Sequence, residues 1–94
     1  MYDRAGCIWC ARWDRDIGRT YGSTPQGRFA PLRRVDIRDQ RRSGVDLDEP
    51  IIYTPTFVVS DEGVEIGRIT GYQGADMFWG LLEDVLRQRP RRAD

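Results

Sequence analysis

Apolar residues recur along this chain with two different periods, and the switches between them mark out its elements. Trp9, Trp13 and Ile17, with Tyr21 beyond, share one stripe, while Arg12, Asp14, Arg15 and Asp16 fill the other face. That spacing predicts a helix that begins just after Gly6 and frays at Gly18 and Gly22. Gly22 to Gly27 reads as a loop around Pro25. From Leu32 to Ile37 the period shortens, with Val35 and Ile37 alternating with polar residues, which predicts a strand. Arg38 to Glu49 is polar with weak apolar anchors at Val45 and Leu47, and either a short helix or an ordered loop fits it. Thr56 to Ser60 and Val64 to Ile69 are strand-like runs about Asp61-Glu62-Gly63, the spacing of a hairpin. Finally, Phe78, Leu81, Leu82, Val85 and Leu86 fall at i, i+3, i+4, i+7 and i+8 of a last helix. Gly71 and Gly74 bracket the loop ahead of it, and Pro90 lies shortly past its end. No internal repeat interrupts this order.

Composition narrows the class. Ninety-four residues make one small domain, which on folding hides about two-thirds of its unfolded surface. Residues 1–88 are expected to form that domain and 89–94 a basic C-terminal tail. Apolar residues are 39% and charged residues 32%, an ordinary globular balance. No apolar run approaches the roughly 18 residues of a membrane span, so membrane insertion is not expected. No secretory signal is expected in Met1-Tyr2-Asp3-Arg4, and a free C-x-x-C suits either compartment, which leaves a cytoplasmic location open.

All 15 basic residues are Arg, with no Lys and no His. Without His, Ser-His and Cys-His nucleophiles are excluded. Two cysteines alone fall short of the roughly four ligands of a zinc site, so no metal and no cofactor is expected. The arginines cluster at Arg33, Arg34, Arg38, Arg41 and Arg42, and again at Arg87, Arg89, Arg91 and Arg92. Net charge is zero and acids are interleaved at Asp36, Asp39 and Asp46. The clusters therefore read as solvated surface, and no nucleic-acid partner is expected.

The chemistry concentrates in Cys7-Ile8-Trp9-Cys10, which holds both cysteines of the chain. A lone C-x-x-C pair reads as a redox dithiol, with a structural disulfide as the alternative. The thiolate is the nucleophile in disulfide exchange, and a helix start favours a negative sulfur. Cys7 stands at that start and is expected to attack. Cys10, one turn further in, is expected to resolve the mixed disulfide. Arg4, and less directly Arg12, would add positive potential. Trp9 belongs either to a docking surface or to the core stripe, while Trp13 is core. Pro55 heads an apolar strand, a position proline tolerates in any strand.

Those two motifs, Cys7-Ile8-Trp9-Cys10 and Tyr53-Thr54-Pro55-Thr56-Phe57, carry a resemblance to the thioredoxin superfamily over nearly the whole chain. Asp61-Glu62-Gly63, Gly67-Arg68-Ile69-Thr70-Gly71-Tyr72 and Phe78-Trp79-Gly80-Leu81-Leu82 add to it. Within the superfamily, Gly6-Cys7 with Cys10-Ala11-Arg12-Trp13-Asp14, and Pro31-Leu32-Arg33-Arg34-Val35-Asp36-Ile37, resemble the small SoxS-type proteins encoded with bacterial sulfur-oxidation (Sox) genes. The resemblance implies an α/β thioredoxin-like fold of three layers, a central mixed sheet flanked by helices. It implies a periplasmic thiol–disulfide oxidoreductase that reduces a protein disulfide on a sulfur carrier and is recharged by an upstream reductant; a monomer is expected. Position by position, Cys7 is the nucleophile, Cys10 the resolving thiol and Thr54-Pro55 a cis-proline substrate clamp; Trp9 is a candidate substrate contact from its place between the cysteines, not from the resemblance.

Two departures stand out. The buried acid that thioredoxins carry ahead of the first cysteine is replaced by Met1, with Asp3 nearer by. The strand preceding the C-x-x-C is expected to be largely missing, since Met1-Tyr2-Asp3 supplies only a stub. Two other functions remain open. One is a glutaredoxin-like enzyme using glutathione, with Trp9, Thr54-Pro55 and Gly74-Ala75-Asp76 at its site. The other is a redox-regulated binding module.

Overall fold

The structure, a computed structural model, describes residues 1–87; residue 88, the expected basic tail and Pro90 lie outside the described residues. Helix α1 spans Ile8–Trp13 and continues into a wider π-turn, Asp14–Gly18, so the predicted stripe holds as one face. A single 3₁₀ turn, Tyr21–Ser23, then leads into α2, Pro25–Phe29, where a loop was expected. The cause is local. The Thr24 hydroxyl oxygen accepts from the Gly27 N–H at 2.9 Å, and Pro25 sits at the first helical position, where no N–H is required. Gly27 also lies so close to the Tyr21 carbonyl that a Cβ there would fall 1.8 Å from its oxygen.

Strand β1 is Tyr2–Asp3 and β2 is Val35–Asp36, shorter at both ends than the Leu32-to-Ile37 run that alternation predicts, since Leu32, Arg33 and Arg34 lie outside it. Asp36 ends it: its carboxylate accepts from the Arg38 N–H at 2.9 Å and caps a 3₁₀ segment, Ile37–Arg42. Strands β3, Thr56–Asp61, and β4, Val64–Thr70, form the predicted hairpin. Glu62 and Gly63 turn it with φ of 53° and 81°, the pair of positive angles that matches strand twist. Helix α3 spans Ala75–Arg87.

The sheet runs β2-β1-β3-β4, parallel between β1 and β2 and antiparallel elsewhere. The short β1 is thus central, with Tyr2 pairing Val35 on one side and Thr56 on the other. Helices α1 and α3 meet over the sheet in an aromatic cluster. Trp13, with no exposed surface, lies 5.2 Å from Phe57 and 5.7 Å from Phe78, and those two are 4.9 Å apart. Tyr2 contacts a different element, its hydroxyl donating to Ser43 Oγ at 2.9 Å.

The segment joining the 3₁₀ turn to β3 is held by side chains. Gln40 accepts from the Ile51 N–H at 2.7 Å and donates to the Ile51 carbonyl at 3.0 Å. Buried Glu65 accepts from the Asp48 N–H at 2.9 Å and from Arg68 at 2.6 and 2.7 Å, while Arg68 also donates to the Glu49 carbonyl at 2.8 Å. Burial works to raise the Glu65 carboxyl, but Arg68 and the Asp48 N–H outweigh it and hold it below its ordinary range. A carboxylate so depressed contributes stability above its unfolded pKa of 4.5, and that stability is lost as pH falls through the folded value. We predict that Glu65→Gln lowers stability at neutral pH by about 2 kcal/mol, since Arg68 is left without its counter-charge and is only partly buried. Thermal melts should show a drop on the order of 10 °C at pH 7 and a smaller gap between variant and parent below pH 4.5. Parallel pH profiles for the two proteins would refute it.

Candidate functional site

Three segments converge at one end of the sheet, and pairing register puts them there. Tyr2 pairs with Thr56 in the antiparallel sense, so the chain leaving β1 toward Cys7 lies beside the residues that precede Thr56. Thr56 pairs in turn with Thr70, which brings Gly71 alongside Pro55. A hydrogen bond from the Gly71 N–H to the Pro55 carbonyl, 2.7 Å long, ties these last two together. The convergence consists of the redox turn, the 53–55 turn and the 71–74 loop.

The redox turn is built by Gly6, at φ 79°, followed by Cys7 as the N-cap of α1. Cys7 and Cys10 are joined in a disulfide with their Cα atoms 5.2 Å apart. The Cys10 N–H also donates to Cys7 Sγ at 3.1 Å, so a backbone donor already points at the outer sulfur. Cys7 is partly exposed while Cys10 is 6% exposed and belongs to the core cluster. The two sulfurs are thus an outer and an inner one, as their sequence order predicts.

Trp9, left between surface and core by its spacing, is 50% exposed and carries the Arg12 guanidinium over its ring at 5.1 Å. It faces outward from the first turn of α1, whereas Trp13 is sealed beneath it. Around the disulfide, Ile8, Ile52 and Tyr53 are also exposed, at 73%, 70% and 66%. Sequence pattern does not single these three out, because apolar residues at an element's start look the same whether they face a core or a partner.

The Thr54–Pro55 peptide bond is cis. Pro55 is fully buried and Thr54 partly so. Thr56 Oγ1 donates to the Tyr53 carbonyl at 2.6 Å and fixes the turn from the strand side. The Thr54 hydroxyl oxygen is buried without a hydrogen-bond partner among the described residues.

Asp3, the nearer acid, faces an arginine: its carboxylate lies 3.4 Å from Arg34, and the same guanidinium also binds Asp14. Met1, at the position of the acid that thioredoxins carry ahead of the first cysteine, is a core residue in the cluster that holds Cys10. Arg4 contributes its carbonyl to the turn, accepting from the Cys7 N–H at 3.2 Å.

A groove of about 750 Å³ opens beside the redox turn, between α1 and the 71–74 loop. Tyr72 anchors that loop by donating its hydroxyl to Asp16 at 2.8 Å. Burial, and then the Asp16 carboxylate, push the Tyr72 phenol up to about 12. A second cavity, about 510 Å³ near Tyr21 and Phe29, shares no residue with the redox turn.

No family model and no curated protein matches the chain. Among solved structures it is similar to the periplasmic thioredoxin SoxS from Paracoccus pantotrophus in its reduced form, with 43% sequence identity and a TM-score of 0.90, over 94% of this chain and 93% of that one.

The burial difference between the two sulfurs carries a direct test. After reduction, Cys7 should be alkylated by iodoacetamide at least about tenfold faster than Cys10, since reactivity follows thiolate character and access. Mass spectrometry of the singly modified protein reads the ratio. Equal labelling of the two thiols would refute the outer-and-inner assignment.

Proposed function

Because the chain belongs to the SoxS-type branch of the thioredoxin family, and is therefore a thiol–disulfide oxidoreductase, we propose that it serves as a periplasmic reductant of protein disulfides. The observation that carries this reading is the Cys7–Cys10 disulfide at a helix start, with Cys7 partly exposed and Cys10 buried.

The reaction runs in two exchanges. Cys7, as thiolate, attacks one sulfur of the partner's disulfide; a new bond joins Cys7 to the partner, and the partner's other sulfur leaves as a thiolate. Cys10 then attacks Cys7 Sγ, the second partner thiolate leaves, and the protein is left as the Cys7–Cys10 disulfide. Two electrons have passed to the partner. An upstream dithiol returns them by the same exchange in reverse. The Cys10 N–H directed at Cys7 Sγ favours the negative sulfur in the attacking state.

Binding is assigned to the surface around the disulfide. Ile8, Trp9, Ile52 and Tyr53 expose apolar surface that a partner segment covers. Thr54 and Pro55 form the clamp, where the backbone of Thr54 pairs with an extended substrate chain. The partner is a protein, a sulfur carrier by the resemblance to Sox-encoded proteins, and the enzyme acts as a monomer of one domain.

Three measurements test the proposal together. Cys7→Ser should lose all turnover of a protein disulfide above background. Cys10→Ser should accumulate a mixed disulfide visible on a non-reducing gel. Equilibration in glutathione buffers, followed by tryptophan fluorescence, should give a reversible transition between about −120 and −270 mV. A disulfide that persists below about −300 mV would instead be structural, and turnover that needs glutathione in place of a dithiol donor would favour the glutaredoxin-like reading.

A further inference from the structure

The groove beside the redox turn carries positive charge that the disulfide exchange does not use. Its α1 wall holds Trp9, Arg12, Arg15 and Asp16, and its far wall is Tyr72 with the 71–74 backbone. Arg12 and Arg15 are three residues apart on one helix, so their side chains lie side by side. Asp16 is engaged: one oxygen accepts from Tyr72 at 2.8 Å and the other faces Arg15 at 3.7 Å. Arg12 is seated on the Trp9 ring at 5.1 Å, and among the described residues it makes no ion pair. The groove therefore holds two guanidinium groups against one carboxylate. Arg4, Arg19, Arg28, Arg33, Arg41 and Arg42 likewise make no ion pair among the described residues, and what distinguishes Arg12 is its seat on the Trp9 ring inside the groove.

The far wall suits a polypeptide. Gly71 and Gly74 have nothing within 4 Å of the place a Cβ would occupy, so an incoming chain meets bare backbone there. The Gly71 N–H bond to the Pro55 carbonyl makes this wall continuous with the 53–55 turn. A chain that reacts at Cys7 and pairs at Thr54 thus has its flanking residues over Trp9 and the two arginines. Arginine presents a planar fork matched to a carboxylate, and its stacking on an aromatic face leaves N–H groups free to donate.

We propose that this groove reads an acidic residue flanking the reacting cysteine of the polypeptide substrate, the carboxylate lying between Arg12 and Arg15 and neighbouring apolar atoms lying on Trp9. The proposal rests on the oxidoreductase reading of the same site and adds a substrate preference to it. Exposed ion pairs are individually weak in water. A chain already held at the redox turn delivers its flank at high effective concentration, which lets such pairs select among substrates.

Two peptides of the same sequence test it, differing only by Glu or Gln two residues from a central position. With Ser at that position they cannot react, and each is titrated by NMR into the oxidised protein at low salt. The Glu peptide should bind about fivefold more tightly, shifting the Trp9 indole N–H and the 71–74 amides. In Arg12→Gln/Arg15→Gln, whose sites are exposed, and in about 0.5 M salt, the Glu-to-Gln ratio should fall to about one. The charge-keeping pair Arg12→Lys/Arg15→Lys should retain part of it. With Cys at the central position, as mixed disulfides, the same ratio should appear in kcat/KM for the reduced protein. Equal binding of the two peptides, or a Glu preference that survives in the double Gln variant, overturns the proposal. So does glutathione disulfide displacing the Glu peptide with the same dependence on both arginines, because the occupant would then be glutathione. Selective binding without reduction of either peptide would overturn the oxidoreductase reading and leave the subsite standing.

Discussion

The burial of Trp13 against Phe57 and Phe78 is the constraint on which the rest of this structure depends. A helix that plants one large ring between a strand and a second helix has its rotation and its height fixed. Cys10 precedes Trp13 by three residues and so lies near the same face, which buries it. Cys7, three residues earlier again, has turned away and is also at the helix end, where the outer sulfur meets solvent. Trp9 lies on the Trp13 side of the helix by phase, yet it is half exposed. Its position along the axis decides this, since four residues carry it about 6 Å beyond Trp13, past the aromatic cluster. Rotation sets which sulfur is inside, and height sets which tryptophan is outside.

What the sequence made legible follows from the same division. Long elements with a buried face, such as the Trp13-Ile17-Tyr21 stripe and the Phe78-Leu82 helix, were readable because a single packing requirement repeats along them. The hairpin was readable from its turn chemistry, and the C-x-x-C from the scarcity of any other cysteine. Short elements were misread for a common reason: their ends are decided by one capping side chain. Thr24 converts an expected loop into α2, and Asp36 cuts an expected strand short before Ile37. Both are capping residues at readable positions, Thr24 ahead of Pro25 and Asp36 two residues ahead of its N–H donor. The exposed apolar residues Ile52 and Tyr53 were beyond reach, because hydrophobicity records that a residue will be covered but not by what.

Charge is organised by the same elements. An all-arginine basic set looks uniform in composition, and net charge is zero, yet the arginines play different parts in the fold. Arg34 spans Asp3 and Asp14 and lies 5.8 Å from the centre of the Trp13 ring, joining β1 to α1 from the solvent side of the aromatic cluster. Arg68 reaches both Glu65 and the Glu49 carbonyl and binds the connecting segment to β4. A planar donor with five N–H groups suits such bridging, where an ammonium would satisfy one partner at a time.

These bridges matter because the centre of the sheet has little ladder to rely on. Strand β1 contributes Tyr2 and Asp3 alone between its two neighbours. Two residues supply few interstrand hydrogen bonds, each worth on the order of 1 kcal/mol net. Side chains from those same residues extend the attachment: Tyr2 to Ser43, Asp3 to Arg34, and through Arg34 to Asp14. The redox turn leaves directly from this strand, so its position relative to the 53–55 turn is set by side-chain bridges and by the Trp13 cluster more than by backbone pairing. The helix that carries the cysteines is fixed from its buried side by Trp13, and that anchor holds the outer sulfur of the redox turn opposite the 53–55 turn.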